Sequence, residues 1–348
     1  MKVGLLAGPG RLAVEERPAP HAGPGEVVVE LAACGVCGTD LEKLHGNYQT
    51  AGRLGHEPAG VLAEVGDGVR DLRIGDRVAV HHHVPCLACP VCRRGDTTFC
   101  PTYSATNIDP GGFAERFRVP EEHVERGAVL RLDASVDWRA AALLEPAGCA
   151  LTALRRVGFA AGDSVAVLGL GPVGLLYAAL ARALGAAWVG GTELSPRRRA
   201  AADRLGVDAT FDPRSPEAVR EAVRAATGGV GIDFAVVATG APAALALGVE
   251  LARRGGTVNL FGLPAPGSRL DADLQQLYLK GVRVVPTYAT TEREIRDVHA
   301  LAVSGRLDLT TLVSHDFPIE RIDEAFAQAG RADEALKVVV TGPAFSRR

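Results

Sequence analysis

The stretch from Asp163 to Glu193 constrains this chain most. An apolar run, Ser164 to Leu168, breaks into Gly169, Gly171 and Gly174, resumes as Leu175 to Leu184, and reaches Glu193 after a second apolar run. The order reads as strand, tight turn, helix, strand. Gly169 permits the turn, Gly171 lets a pyrophosphate approach the backbone, and Gly174 lets the helix pack closely on the strand. Pro172 and Val173 complete the turn, and the helix N-terminus supplies unpaired amides for phosphates. Glu193, 19 residues past the last glycine, stands where a ribose diol needs a carboxylate. The segment predicts a dinucleotide site.

The same stretch is uncharged from Ser164 to Ala181 and approaches the length of a membrane span. Its glycines and Pro172 break it into pieces too short to cross a bilayer, so a buried strand followed by a core-facing helix is expected instead. A formal charge of -3 and a pI near 6.3 give no electrostatic reason to expect nucleic acid or an anionic membrane as partner. Small molecules are the expected partners. The opening MKVGLLAGPGR has too short an apolar run for a secretory signal, which makes the cytoplasm the default location.

A length of 348 residues, 47% of them hydrophobic, suits two domains with sizeable cores. Over residues 1–135, short β-branched runs such as Glu26 to Leu31, Val61 to Val65 and Arg77 to Val80 alternate with glycine and proline, the pattern of a β-rich domain. Over 136–286, six apolar runs alternate with helical patterns, which predicts an α/β fold with a doubly wound parallel sheet. Residues 287–348 hold a helix near Glu292 to Ser304 and a strand at Lys337 to Val340, and are expected to return to the first domain.

Cys86, Cys89, Cys92 and Cys100 form CxxCxxCx7C, a spacing that lets one loop fold four thiolates around a tetrahedral ion. Four thiolates leave no open position, so this zinc is expected to be structural. A second constellation mixes thiolate, imidazole and carboxylates: Cys34, Cys37, Gly38, Thr39 and Asp40, then Gly55, His56 and Glu57. A catalytic zinc needs about three protein ligands and a fourth position for water or substrate.

The run Gly55, His56, Glu57, Gly60, Gly66, Val69 resembles the zinc signature of medium-chain alcohol dehydrogenases, and the CGTD run, the four-cysteine lobe and the glycine turn follow that family's order. The resemblance covers essentially the whole chain. It implies a Rossmann dinucleotide-binding domain beside a GroES-like catalytic domain, two zinc ions per chain, and a homotetramer or homodimer. Leu144, Glu145 and Pro146 resemble the sorbitol and threonine dehydrogenase branch, which makes Glu145 the third zinc ligand beside Cys37 and His56. Glu57 then coordinates transiently or replaces water, and Asp40 supports the imidazole. Cys34 and Cys149 read as non-ligands, Cys149 as a small buried hydrophobe.

The resemblance further implies that Thr39 receives the alcohol proton. Glu42 departs from the histidine that relatives often place next in the relay, leaving Glu42, His45 or water to carry the proton onward. In the triplet His81, His82, His83, the last matches a pocket histidine of threonine dehydrogenases and His82 a pocket position of liver-type relatives. One of the two is expected at the substrate. The reading is a zinc-dependent dehydrogenase of a secondary alcohol in a polyol, sugar or related compound. Glu193 favours NAD, while Arg197 to Arg199, Arg198 among them, are the counter-signal for NADP. The alternatives are an NADPH-dependent ketone or aldehyde reductase and a non-catalytic zinc- and nucleotide-binding protein.

Overall fold

The computed structural model describes residues 1–8, 10–47, 53–270 and 273–347. They form two compact units. One contains Met1–Gly148, Thr290–Arg331 and Ala335–Arg348; the other contains Cys149–Ala289 and Ala332–Glu334. The first division thus falls at Gly148 rather than after residue 135. The helix Trp138–Ala141 packs on the strands Val27–Gly35 and Pro58–Val65 of the first unit, and Trp138 donates its indole N–H to the Arg347 carbonyl (2.9 Å). The onset of helices at 136 therefore marks a change of local pattern and not of packing partner.

In the second unit six strands lie parallel in the order Ala209–Phe211, Trp188–Thr192, Ser164–Leu168, Ile232–Val237, Ala252–Leu260, Arg283–Pro286. The order reverses beside Ser164–Leu168, the point where open α/β sheets bind ligands. That strand is buried throughout, as its unbroken apolar sequence requires. It is followed by Gly169, whose φ of +100° suits glycine, and the helix Pro172–Ala183 begins three residues later with Gly171 as its N-cap. A Cβ on Gly174 would lie 1.9 Å from the Gly169 carbonyl oxygen, so only glycine lets the helix start this close to the strand.

The first unit is built on a seven-stranded sheet. Val27–Gly35, buried at all nine positions, pairs antiparallel with Pro58–Val65, with Arg116–Val119 and with Lys337–Thr341, where Val339 sits opposite Gly35. Lys337–Thr341 in turn runs parallel to Val313–Pro318. Val27, Val29, Leu31, Phe117, Val338 and Val340 belong to one core cluster, so the strand near the end of the chain is packed into the centre of the unit that the beginning founds.

Candidate active site and metal centres

The lobe from Cys86 to Cys100 is made of very short elements. Cys89 caps the helix Pro90–Arg93 by accepting from the Cys92 amide, and Cys100 precedes the helix Pro101–Ala105. All four cysteines are free thiols. Their Sγ atoms lie 4.0 Å (Cys86 to Cys92), 3.8 Å (Cys89 to Cys100) and 3.5 Å (Cys86 to Cys100) apart. A tetrahedron of sulfurs at the usual zinc distance has an edge of about 3.8 Å, so the donor set fits a four-thiolate ion without rearrangement. The electrostatics of the thiols agree. Burial and neighbouring thiols push Cys92 up to about 12, whereas at Cys100 hydrogen bonds, led by the Cys86 amide, overcome burial and bring it down to about 6. Four thiols around one point cannot all ionise unless a cation sits among them.

The second cluster is drawn from distant segments of the first unit. Cys37 is the N-cap of the helix Gly38–Leu44. Asp40, fully buried, accepts hydrogen bonds from the Cys37 amide (3.1 Å) and the Gly55 amide (3.3 Å), and its carboxylate lies 3.5 Å from His56 Nδ1. This fixes the imidazole by one nitrogen and turns Nε2 toward Thr39 Oγ1 (3.3 Å). Burial works against a charge on His56, but Asp40 and Cys37 outweigh it and lift its pKa well above the ordinary range. The site attracts positive charge.

Cys37, His56 and Glu57 each offer a donor atom within 4.8 Å of the others, and so do His81, His82 and Glu145. The two groups adjoin: the His56 and His82 rings are 5.1 Å apart, and Glu145 acts electrostatically on both Glu57 and Lys337. Within these two groups His82 Nδ1 is buried without a hydrogen bond among the described residues, and Glu57 Oε2 is held by ion contact with the Lys337 ammonium (2.5 Å). Cys37, His56 and Glu57 offer a thiol, an imidazole and a carboxylate, the kinds of donor that suit a divalent ion with an open position, and Glu145 lies in the adjoining group.

His82 borders this cluster; His83 is engaged elsewhere. Its Nδ1–H donates to the Thr106 carbonyl and its ring lies 5.2 Å from Tyr103. Burial drives His82 well below its ordinary range and His83 down to about 3, helped by the neighbouring histidines, so both rings stay neutral. His81, named in sequence only as part of the triplet, bonds Glu292 (3.0 Å) and Tyr103 (3.1 Å), and Tyr103 donates to the Thr290 carbonyl (2.9 Å). Cys149 lies in the second unit, near Tyr177. Lys337 was read from sequence only as the start of a strand: its Nζ donates to Glu57 Oε1 at 2.6 Å, inside the first unit. A lysine opening an otherwise apolar strand, KVVV, was the available signal.

In the second unit Glu193 follows the strand Trp188–Thr192, and its Oε1 accepts from the Ser195 amide (3.0 Å). Arg199 Nη1 donates to the Glu193 and Leu194 carbonyls. Arg198 Nη1 lies 3.7 Å from the point a Cβ on Gly171 would occupy, beside the glycine turn. Burial lowers the Arg198 pKa against the pull of Glu193 and Asp333.

Two family descriptions match this chain, the alcohol dehydrogenase GroES-like domain over residues 23–127 and the zinc-binding dehydrogenase over 172–304. The chain belongs to the zinc-dependent medium-chain alcohol dehydrogenases, in their sorbitol and threonine branch. It is 35% identical to the L-threonine 3-dehydrogenase of Pyrococcus abyssi, covering 92% of each chain, and 30% identical to the sorbitol dehydrogenase of Bacillus subtilis, covering 98% of this chain and 97% of that one. A zinc-binding dehydrogenase of Sinorhizobium meliloti, solved bound to NADP, superposes with a TM-score of 0.89 at 29% identity over 98% of both chains. This medium-chain dehydrogenase is an oxidoreductase of alcohols and polyols that works with zinc and a nicotinamide cofactor. Its α/β architecture, a parallel Rossmann sheet and a separate β-rich sheet, is the one its sequence implied. No described helix is long and apolar enough to cross a membrane.

Proposed function

We propose that this dehydrogenase oxidises a secondary alcohol carried by a polyol, sugar or related small hydroxy compound, with NAD as the preferred cofactor. The observation that carries the reading is the pair of adjoining, largely buried groups, Cys37, His56 and Glu57 on one side and His81, His82 and Glu145 on the other, beside Thr39. Cys37, His56 and Glu145 would hold the catalytic zinc, whose Lewis acidity, when bound, makes the substrate hydroxyl acidic enough to lose its proton. Thr39 Oγ1, near His56 Nε2, is placed to receive that proton, and Asp40 keeps the imidazole from turning. His82, neutral and with Nδ1 unspent, offers a hydrogen bond to a further hydroxyl, which favours a hydroxylated substrate over an apolar one. Glu42 accepts from Asn47 (2.9 Å) at the surface, so the onward proton route passes through His45 or water. Cys86, Cys89, Cys92 and Cys100 would hold the structural zinc.

Glu193 favours NAD because its carboxylate accepts ribose hydroxyls and repels a 2′-phosphate. The position of Arg198 beside Gly171 supports the second reading, a ketone or aldehyde reductase using NADPH. The cytoplasm is the proposed location. A homodimer or homotetramer is the proposed assembly: the helix Leu274–Lys280 buries none of its residues and exposes Leu274, Tyr278 and Leu279. An absorbance screen of polyols, amino alcohols and simple alcohols with NAD and NADP tests the reading. Turnover of a polyol or amino alcohol with a higher kcat/KM for NAD is expected; a clear NADP preference overturns the cofactor assignment.

A further inference from the structure

The preference for a further hydroxyl rests on His82 Nδ1, a buried nitrogen with no hydrogen bond among the described residues. Such a nitrogen recognises a hydroxyl only while its ring stays within about 0.5 Å of one position, so something else must hold the ring. Three buried side chains do so. His81 is engaged at both nitrogens, by the Glu292 carboxylate (3.0 Å) and the Tyr103 hydroxyl (3.1 Å), which leaves none for substrate or ion. Tyr103, fully buried in the helix Pro101–Ala105, donates onward to the Thr290 carbonyl (2.9 Å). His123, fully buried in the helix Glu121–Glu125, donates its Nε2–H to the carbonyl of His82 itself (2.9 Å).

The anchors of this frame are distant in sequence but belong to one unit. The His81 amide donates to the Ala128 carbonyl, three residues past the His123 helix. Thr290 and Glu292 open the segment that returns to the first unit, and a Cβ on Gly148 would lie 2.8 Å from Thr290 Oγ1, so that segment also packs on the helix that carries Glu145. Rings complete the hold. The His82 centroid lies 5.6 Å from that of His81, edge-on, and 4.0 Å from that of His83, and both neighbours are bonded elsewhere. We propose that His81, Tyr103 and His123 are positioning residues that aim the His82 imidazole at a hydroxyl beside the one oxidised, and so set a preference for diols and polyols over monohydric alcohols; this rests on the pocket reading of His82 above. A bond lost from the frame leaves the chemistry at Cys37, His56 and Thr39 untouched. It lets the His82 ring shift, which weakens only the hydrogen bond that a second hydroxyl makes.

2,3-Butanediol and 2-butanol share a carbon skeleton and differ by one hydroxyl, so the ratio of their kcat/KM values on the full zinc-loaded chain reads that hydrogen bond. Tyr103→Phe, which deletes only a hydroxyl, and His123→Leu, which deletes the donor, are each expected to lower the ratio about tenfold through the KM of the diol. The constants for 2-butanol, the KM for NAD and the metal content stay as in the wild type. His123→Gln, which keeps a donor, restores the ratio. In a His82→Ala background, where the ratio is already low, neither substitution lowers it further. Glu292→Gln replaces His123→Leu should the latter not fold, with the same expectation. A ratio that these substitutions leave unchanged while His82→Ala lowers it overturns the frame and leaves the pocket reading intact. Equal losses for both alcohols, or losses that add to that of His82→Ala, show a merely structural role and overturn the frame as well. A wild-type chain that does not favour the diol, or a His82→Ala chain that favours it as much as the wild type, overturns the pocket reading and the frame with it.

Discussion

The cysteine lobe and the cluster around Cys37 each gather metal-binding side chains within 4.8 Å, and they are built in opposite ways. The lobe is one continuous loop, Cys86 to Cys100, whose four donors are chemically identical and whose amides point at its own sulfurs: Cys86 N–H to Cys100, Cys89 N–H to Cys86, Cys92 N–H to Cys89. The Cys37 cluster draws on a helix N-terminus, a loop, the first turn of the helix Leu144–Val157 and a strand from near the end of the chain, with three donor chemistries, thiol, imidazole and carboxylate. Uniform donors from one loop make a saturated, inert ion. Mixed donors from separate elements differ in reach and in chemistry, the conditions for exchange at a metal.

The largest expected effect separates the two centres within the helix Leu144–Val157. Glu145→Ala is expected to lower kcat/KM about a thousandfold or more, roughly 4 kcal/mol of transition-state stabilisation. One metal equivalent is lost, and the lobe ion and NAD binding are retained. Cys149→Ala, one helical turn on but in the second unit, is expected to be nearly silent. The reverse pattern would assign the third ligand to Cys149 and break the comparison. Metal analysis beside steady-state kinetics decides it.

The lobe should respond in stability instead. Cys89→Ser is expected to remove the other metal equivalent and lower Tm by about 10 °C, a loss of some 3 kcal/mol or more in a chain of this size, while the folded fraction keeps measurable turnover. Unchanged melting with full metal content would show that the lobe is not closed around an ion.

His83, three residues before the lobe, has an effect that is confined to acid pH and vanishes at neutrality, and it sharpens the boundary between the centres. Its folded pKa of about 3 lies below the unfolded value of about 6.5. As pH falls below about 6.5 the unfolded chain takes up this proton first, so stability declines toward pH 3. His83→Gln is expected to flatten that decline in Tm. An equally steep decline would place the proton sink elsewhere.

How much of this was legible in sequence follows the same division. The lobe and the glycine turn are local, their chemistry fixed by spacing, and both appear where the spacing put them. The six parallel strands expected over 136–286 are present, and Ala252–Leu260 takes in the polar Arg253 and Arg254 because Ala252 pairs with Ile232 across a bulge. The Cys37 cluster was only half legible. Cys37, His56 and Glu57 come together as their motif implied, but no spacing shows that Glu145 meets His81 and His82, or that His83 turns to Thr106. Lys337 stands 280 residues from Glu57, and its strand reads as one more buried apolar run. Nor could periodicity show that Trp138–Ala141 packs on the first unit.

The place of Lys337–Thr341 in the sheet also sets a timetable. Val27–Gly35 is made early, yet one of its neighbours is among the last strands to be synthesised. At typical translation rates the 280 residues between Glu57 and Lys337 take about 14–56 s to appear. Through that interval the nascent chain holds an unpaired sheet edge at Gly35 and a carboxylate at Glu57 with no cation against it. Translation speed, and whatever shields that edge meanwhile, therefore bear on how much correctly metallated enzyme a cell obtains.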